Sequence, residues 1–364
     1  MAHAYDRVLN FSAGPCILPV PVLEEVQKDL INYKGSGKSV LEMSHRGKDY
    51  DAIIKQTEAD LRSLMGIPEN YKVLFLQGGA STQFTMLAMN FLGAGNHADY
   101  VLTGAWGAKA IESANLVGKA NVLYDAKASN YNHAPDLTSL AQTPGAKYFH
   151  FTSNETIQGV EIFGDHDLGD RVIVDASSDI LSRPIDVSKY AVIYAGAQKN
   201  MGPAGCTLVV MREDMLDEIP DGLAPMLDYR IHAKNGSMYN TPPCFSIYVM
   251  GLVYKWMLGL GGLTAIHKMN QEKSGVLYSA IDTSNGFFKG HAVPENRSLM
   301  NVTFTLPSDE LTAEFLKEAK ANKMEELNGH RSVGGCRASI YNGFPKQGCD
   351  ELAAFMTDFA KRNG

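Results

Sequence analysis

Arg171–Arg212 reads RVIVDASSDILSRPIDVSKYAVIYAGAQKNMGPAGCTLVVMR. Val172 to Asp175 is a short β-branched run ending in a carboxylate, the pattern of a strand buried on both faces that delivers Asp175 at its C-terminal end. Open α/β sheets bind ligands at that end. A second apolar run, Ala191 to Ala195, leads into Gly196-Ala197-Gln198-Lys199, and a third, Cys206 to Met211, follows the turn Gly202-Pro203-Ala204-Gly205. Lys199 is therefore expected between two core strands, at the end of one of them. A lysine in such a place is most often a snorkelling surface group, because charged side chains are rarely buried without a partner.

Asp175 gives Lys199 a second reading. A carboxylate ending one strand and a lysine ending a neighbouring one is the arrangement pyridoxal phosphate needs: lysine forms the Schiff base, and aspartate holds the pyridine nitrogen protonated. Desolvation makes the lysine lose its proton more easily and become nucleophilic, while the aspartate keeps its charge against a pyridinium and makes the ring an electron sink. VDASSDILSRPIDV followed by GAQKNMGPAG resembles the phosphoserine aminotransferase family, class V aminotransferases among the fold-type I pyridoxal-phosphate enzymes. The resemblance runs over essentially the whole chain, through NFSAGP, MSHR, YNTPP and HRSVGG.RASIYN in order.

Composition sets bounds beside this resemblance. A chain of 364 residues can bury a large core, with two domains or a large and a small lobe as the prior. With 45% hydrophobic residues, 20% charged residues and a formal net charge of −7, it carries no footprint for nucleic acid or an anionic membrane. An anionic substrate would have to be held by local positive groups. Five cysteines, Cys16, Cys206, Cys244, Cys336 and Cys349, form no CxxC pair and are odd in number, which favours a reducing compartment over a disulfide framework or zinc ribbon. MAHAYDRVLNFSAGP has neither an apolar signal region nor transit-peptide character, so the cytoplasm is expected, with the plastid stroma as the alternative if a transit peptide was removed. Cys244 to Leu263, the most apolar stretch, contains Lys255 and reads as a buried helix and its exit rather than a membrane span.

Along the chain, Asn10 to Leu18 is expected as an ordered irregular arm, and Val20 to Leu30 as a first helix with Pro21 near its start. Gly35-Ser36-Gly37-Lys38-Ser39 is no phosphate loop, since Asn32 stands where a Walker glycine is required. Met43-Ser44-His45-Arg46-Gly47 is a polar cluster before a helix from Tyr50 to Met65, and by itself could be a solvated loop. Val73 to Leu76 reads as a strand, and Gln77-Gly78-Gly79-Ala80-Ser81-Thr82 leads from it into a helix. Strand, glycine-rich turn and helix make an anion site, with Ser81 or Thr82 as the expected cap, although Gly78-Gly79 alone could be a tight turn. Strands follow at Tyr100 to Thr103, Asn121 to Tyr124 and Tyr148 to Thr152, and the rhythm of strands alternating with helices from 73 to 211 predicts a parallel sheet covered on both faces. Trp106, flanked by Gly104 and Gly107, is either a core plug or a platform for a flat ligand. Asp165-His166-Asp167 reads as a solvated turn, not a metal cluster, and no metal is expected. Leu227 to Asn240 is polar and irregular before Thr241-Pro242-Pro243, and Phe245 to Met257 is an apolar helix. Beyond Leu263 the pattern predicts a helix to about Asp282, a strand from Met300 to Thr305, a helix from Ser308 to Lys323 capped by Ser308, and a final helix from Cys349 to Lys361. Arg331 and Arg337, read as lying in one strand that contains Gly334-Gly335, suit bidentate recognition of carboxylate or phosphate, or surface ion pairing.

The family resemblance assigns roles to these positions. It implies an α/β fold: a large domain over 18–260 with a mostly parallel sheet covered by helices, and a smaller α+β domain from 1–17 and 261–364. Lys199 and Asp175 are implied as catalytic, and Ala80, Ser81, Trp106, Thr156, Asp175, Gln198 and Lys199 as holding pyridoxal 5'-phosphate. Asn240 and Thr241 are implied to complete the cofactor site of the other subunit in a homodimer. His45, Arg46, His330, Arg331 and Arg337 are implied to bind substrate, with Arg337 on the α-carboxylate. The implied reaction moves an amino group between glutamate and 3-phosphohydroxypyruvate, giving O-phosphoserine and 2-oxoglutarate. Three departures from the family pattern are mild: Ala13 where bacterial relatives can have serine, Ser81 where some have arginine, and Cys336 where methionine is common.

Other readings share part of this pattern. A different fold-type I enzyme, such as a cysteine desulfurase or an alanine:glyoxylate transaminase, would use Lys199 and Asp175 without needing the His-Arg pairs. A desulfurase also needs a reactive cysteine on a mobile loop, and none of the five is obviously so placed. A nucleotide-binding oxidoreductase would share the sheet, yet no GxGxxG follows any strand. A noncatalytic binding protein would have no need of Lys199.

Overall fold

A computed structural model describes residues 4–364. Residues 1–3, which the small-domain assignment includes, lie outside the described residues. The chain opens with β1 (Leu9–Asn10) and an irregular arm, then α1 (Val20–Asp29), with Pro21 in its first turn, and α2 (Lys48–Met65). β2 (Tyr71–Leu76) leads to α3 (Gly79–Leu87), which ends in a π turn at Ala88–Leu92; β3 (His97–Leu102), α4 (Ala105–Ala114) and β4 (Lys119–Asp125) follow. Then come β5 (Phe149–Thr152), a hairpin of β6 (Asn154–Glu155) and β7 (Val160–Glu161), β8 (Val172–Asp175), β9 (Val192–Gly196) and β10 (Thr207–Arg212). No α-helix lies between Ala114 and β10, so the expected alternation out to residue 211 stops early. The connecting segments carry Pro135, Pro144, Gly145, Gly164, Gly169 and Pro184, which interrupt any helical period and leave loops with single 3-10 turns.

Within the stretch expected to be irregular, α5 (Tyr229–Lys234) forms because the Asp228 carboxylate accepts a hydrogen bond from the Arg230 amide at 2.8 Å. α6 (Cys244–Gly259) and α7 (Gly262–Asp282) are separated by a sharp break at Leu260-Gly261. The remainder is β11 (Lys289–Gly290), β12 (Asn301–Thr305), α8 (Asp309–Ala321), β13 (Met324–Glu325), β14 (Cys336–Ser339) and α9 (Lys346–Asn363). Ser308 caps α8 as its sequence predicts, its hydroxyl accepting from the Leu311 amide at 3.2 Å. Among the described residues no single helix is long and apolar enough to cross a membrane.

Seven strands make the central sheet in the order β2-β10-β9-β8-β5-β3-β4. β10 runs antiparallel to both of its neighbours and every other pairing is parallel. Because side chains alternate along a strand, each strand feeds two cores. Val73, Phe75, Val172, Val174 and Ile193 pack beneath α2 and α6, while Leu74, Ile173, Val192, Tyr194 and Val209 pack beneath α3 and α4. Asp175 follows Ile173 by two residues and so faces the α3 and α4 side. A third core joins Leu9, Phe11 and Ile17 to β12, β14, α8 and α9, where Phe315 meets Phe288, Phe304 and Phe359 edge to face. α7 spans two of these cores, with Leu263 and Ile266 in the first and Leu277 and Ile281 in the third.

Candidate active site

The parallel strands β5, β8 and β9 end side by side, with Thr152 opposite Asp175 and Asp175 opposite Tyr194. Past the end of β9 the chain turns tightly, the amides of Met201 and Gly202 both donating to the Ala197 carbonyl at 3.2 and 2.8 Å. This turn holds Lys199 inward at 8% exposure, its Nζ donating to Thr156 Oγ1 at 2.6 Å. Burial pulls the Lys199 ammonium down to about 8; Arg337 pulls the same way, and Asp175 and Glu155 oppose it. Asp175 is also buried, and Oδ1 accepts from both the amide and the hydroxyl of Ser177, at 3.0 and 2.6 Å. Burial raises the Asp175 pKa, while the Ser177 hydroxyl and Lys199 hold it back. For both groups desolvation outweighs their mutual attraction.

Gly78, at φ +91°, is the N-cap of α3, and a Cβ there would stand 2.1 Å from Thr82 Oγ1. The expected cap at Ser81 or Thr82 is thus one turn element too late: Ala80 and Ser81 lie within the first turn, and the Thr82 hydroxyl donates back to the Gly78 carbonyl at 3.0 Å. The amides of the first turn of a helix have no intrahelical acceptor and point out of its positive end. Trp106 stands in the first turn of α4, with Lys199 Nζ 5.5 Å and Lys109 Nζ 4.6 Å from its ring centroid. A cleft of ≈ 110 Å³ is lined by Gly79, Ala80, Ser81, Trp106, Thr152, Asn154, Thr156, Asp175, Ser177, Gln198 and Lys199.

Arg337, on β14, adjoins this cleft, its Nη1 lying 3.5 Å from the Thr156 carbonyl. Its Nε is buried without a partner among the described residues, and burial lowers its pKa. Arg331 is not in the same strand; Gly334 and Gly335, at φ +78° and +59°, end the extended backbone and leave Arg331 in the preceding turn. His330 is pushed toward its neutral form by burial and then by Arg337, Arg331 and Lys109. Among the described residues no salt bridge joins Lys109, Arg331 or Arg337 to a carboxylate. Such an uncompensated cationic group favours an anionic ligand.

The structure therefore gathers Lys199, Asp175, Ala80, Ser81, Trp106, Thr156 and Gln198 around one cleft, sets Arg337 beside it, and keeps His330 within the electrostatic reach of Arg337, Arg331 and Lys109. It does not bring His45, Arg46, Asn240 or Thr241 to line that cleft. Asn240 donates instead to Gln77 Oε1 at 2.8 Å, and His45 and Arg46 precede α2. Sequence reading missed Ser177, Asn154, Thr152, Lys109 and Glu155. Ser177 had a local signal, since a hydroxyl two residues after an aspartate is placed to bond it in a turn; the others had none. Chemically, the cleft offers a buried amine near neutrality, a buried carboxylate, a flat indole and a helix start, which together suit an aromatic aldehyde carrying a phosphate.

The aminotransferase class-V family profile matches residues 8–352. A phosphoserine aminotransferase of Geobacillus kaustophilus (strain HTA426) is 52% identical over 356 residues, covering 98% of this chain and 99% of that protein. The solved phosphoserine aminotransferase of Bacillus circulans subsp. alkalophilus superposes with a TM-score of 0.97 at 47% identity, covering 99% of this chain and 100% of the other. A PLP-bound phosphoserine aminotransferase from Trichomonas vaginalis superposes with a TM-score of 0.91 at 39% identity, covering 96% of this chain and 99% of the other. Strand ends, helix starts and full-length likeness thus agree, and this chain belongs to the aminotransferase class-V family, in its phosphoserine aminotransferase branch.

Proposed function

We propose that this protein is a pyridoxal-phosphate-dependent transaminase that moves an amino group between L-glutamate and 3-phosphohydroxypyruvate, giving O-phospho-L-serine and 2-oxoglutarate in serine biosynthesis. The observation that carries this reading is Lys199 buried beside Asp175 in a cleft closed by the α3 turn and Trp106. The cleft fits the cofactor in its donor set and its unspent groups. Thr152 Oγ1 and Trp106 Nε1 are buried without partners, and Asp175 Oδ2 accepts no hydrogen bond among the described residues. Ala80 and Ser81 would hold the phosphate by first-turn amides and a hydroxyl. Trp106 and Thr156 would hold the ring, and Gln198 would line its edge.

When bound, pyridoxal phosphate supplies an electron sink for the substrate α-carbon. Asp175 sustains that sink by keeping a negative charge against the ring nitrogen, with Ser177 fixing the carboxylate's orientation. Lys199 holds the cofactor before substrate arrives and then takes up and returns the proton at the α-carbon, a role suited to an amine near neutral pH. Burial shifts the ammonium toward the neutral amine, so capture of cofactor by apoprotein should rise as pH climbs through about 8 and be lost below it, instead of near an ordinary lysine's ~10.4. Stopped-flow absorbance across that range measures the midpoint, and a value above ~9.5 would contradict the burial argument.

Arg337 would take the α-carboxylate common to both substrates. His45, Arg46, His330 and Arg331 would take the distal anion. One set of cations serves both half-reactions because each substrate carries two anionic ends. Arg337→Lys keeps the charge but loses the planar fork, so KM for both amino acids should rise ~10- to 100-fold, as expected for losing one or two charge-assisted bonds, with kcat within a few-fold. An unchanged KM would remove Arg337 from the carboxylate site.

We assign the assembly as a homodimer in which Asn240 and Thr241 complete the cofactor site of the other subunit; their position outside this chain's own cleft and the 44% exposure of Tyr239 support it. The division into a large domain (18–260) and a small one (1–17 and 261–364) is supported by the separate third core. A cytoplasmic setting is supported by five unpaired cysteines. The deciding experiment adds O-phosphoserine, and separately serine, to holoenzyme while recording the cofactor's visible absorption. Bleaching by phosphoserine alone is expected; a yellow protein that ignores phosphoserine and responds to another amino acid would overturn the substrate.

A further inference from the structure

Glu155 lies between two residues that line the cleft, Asn154 and Thr156, and has no role in the chemistry above. Fully buried at the end of β6, it reaches across to the first turn of α4, where Oε2 accepts from the Trp106 amide at 3.0 Å and Oε1 from the Gly107 amide at 2.8 Å. These are two of the amides that a helix start leaves unpaired, and the carboxylate also meets the positive end of the helix dipole. The neighbouring Ala105 amide lies 3.5 Å from Gln158 Oε1 of the same hairpin.

The two glycines flanking Trp106 are clearance for this carboxylate. A Cβ on Gly104 would stand 2.4 Å from Glu155 Cδ and 2.6 Å from Oε2, and one on Gly107 would stand 3.2 Å from Oε1. Gly104 has an extended backbone, φ 175°, that any residue adopts, so its lack of a side chain answers to space and not to conformation. Among the described residues the indole Nε1 of Trp106 has no hydrogen-bond partner, which leaves the ring's attitude to its packing and to the backbone from which it projects. That backbone is what Glu155 holds. The next residue, Thr156, accepts the hydrogen bond from Lys199 Nζ, so one dipeptide anchors both the aromatic plate and the amine.

We propose that Glu155 is a positioning residue whose carboxylate, clamped on the Trp106 and Gly107 amides, sets the tilt of the Trp106 ring over the cofactor cleft. The proposal rests on the transaminase reading for its consequence in catalysis, and on the geometry of the Glu155 contacts alone for the tilt. Glu155→Gln preserves size but turns one amide N–H against a backbone N–H, losing one bond of the clamp. Gly104→Ala attacks the same clamp from the opposite side.

The chain has two tryptophans, so a Trp256→Phe background makes Trp106 the sole indole reporter. In that background, both variants should keep the parent's far-ultraviolet circular dichroism. The near-ultraviolet Trp106 signal of the apoprotein should change, cofactor dissociation should speed up ~10-fold, and kcat should fall ~10-fold with KM for O-phosphoserine within about threefold, the scale of one lost hydrogen bond. A folded Glu155→Gln variant with the parent's Trp106 spectrum and cofactor dissociation rate overturns the proposal. If Glu155→Gln does not fold, an unaltered Trp106 spectrum in Gly104→Ala overturns it equally. A changed Trp106 spectrum in a protein that transaminates some other amino acid supports the clamp while refuting the substrate.

Discussion

Lys199→Ala should lower the half-reaction with O-phosphoserine by at least ~10³-fold, within the range for loss of a positioned general acid–base group and more where the same group is the nucleophile. The structure offers no substitute. Nζ sits at the end of a tight turn, hydrogen-bonded to Thr156, and the other buried lysine of the chain, Lys273, is spent on the carbonyls of Ile340 and Tyr341 at 2.8 and 2.7 Å. The variant should still fold, because it removes a desolvated amine whose one hydrogen bond among the described residues is to a neutral hydroxyl. It should also still bind cofactor through the α3 turn and Trp106, now without a covalent link. Single-turnover absorbance and mass spectrometry read these separately: the expected pair is slow chemistry with cofactor that dialyses away. A variant retaining a tenth of wild-type turnover would remove Lys199 from the proton transfer. A small primary amine added to the variant should restore part of the rate, as only the amine is missing and the cleft around it is intact.

Asp175→Asn should cost ~10²- to 10³-fold in kcat, the scale seen when one preorganised electrostatic partner of a developing charge is removed. Shape is nearly conserved. The amide oxygen can still accept from the Ser177 amide and hydroxyl, which both bond Oδ1 in the native protein, so orientation should survive. What goes is the negative charge, and with it the means of keeping the ring nitrogen protonated. The same change acts on Lys199: Asp175 is the largest influence raising that amine's pKa against burial, so its loss should move the cofactor-capture midpoint below about 8. Two readouts in opposite places thus test one charge. If kcat stays within threefold, or if the midpoint moves upward, Asp175 is not the charge the site depends on.

Local pattern carried much of this. The runs that became β8, β9 and β10 are short and rich in β-branched residues, with Gly196 ending β9 and Gly205 standing just before β10, which favours buried strands. The same holds for the Ser308 cap of α8, whose residues lie within one turn of each other. Where the reading overreached, it extended a rhythm. Two strand–helix units, β2-α3 and β3-α4, suggested that every later crossover would carry a helix, but the later segments hold prolines and glycines that stop one, and the sheet tolerates loops there because α2 and α6 already cover that face.

By itself, then, the amino-acid sequence determined which strands deliver Asp175 and Lys199, that a helix follows the glycine-rich turn after β2, and that the cofactor is one a lysine and an aspartate can hold, since these depend on residues near one another in the chain. Tertiary structure decided the rest. The antiparallel placement of β10 between β2 and β9 and the reach of Glu155 to an amide 49 residues away depend on how distant segments pack. A hydrogen bond across that distance leaves no periodicity behind, because neither partner's neighbours need change for it to form. Its only trace was the pair of glycines beside Trp106, which becomes intelligible once the carboxylate that fills their space is seen.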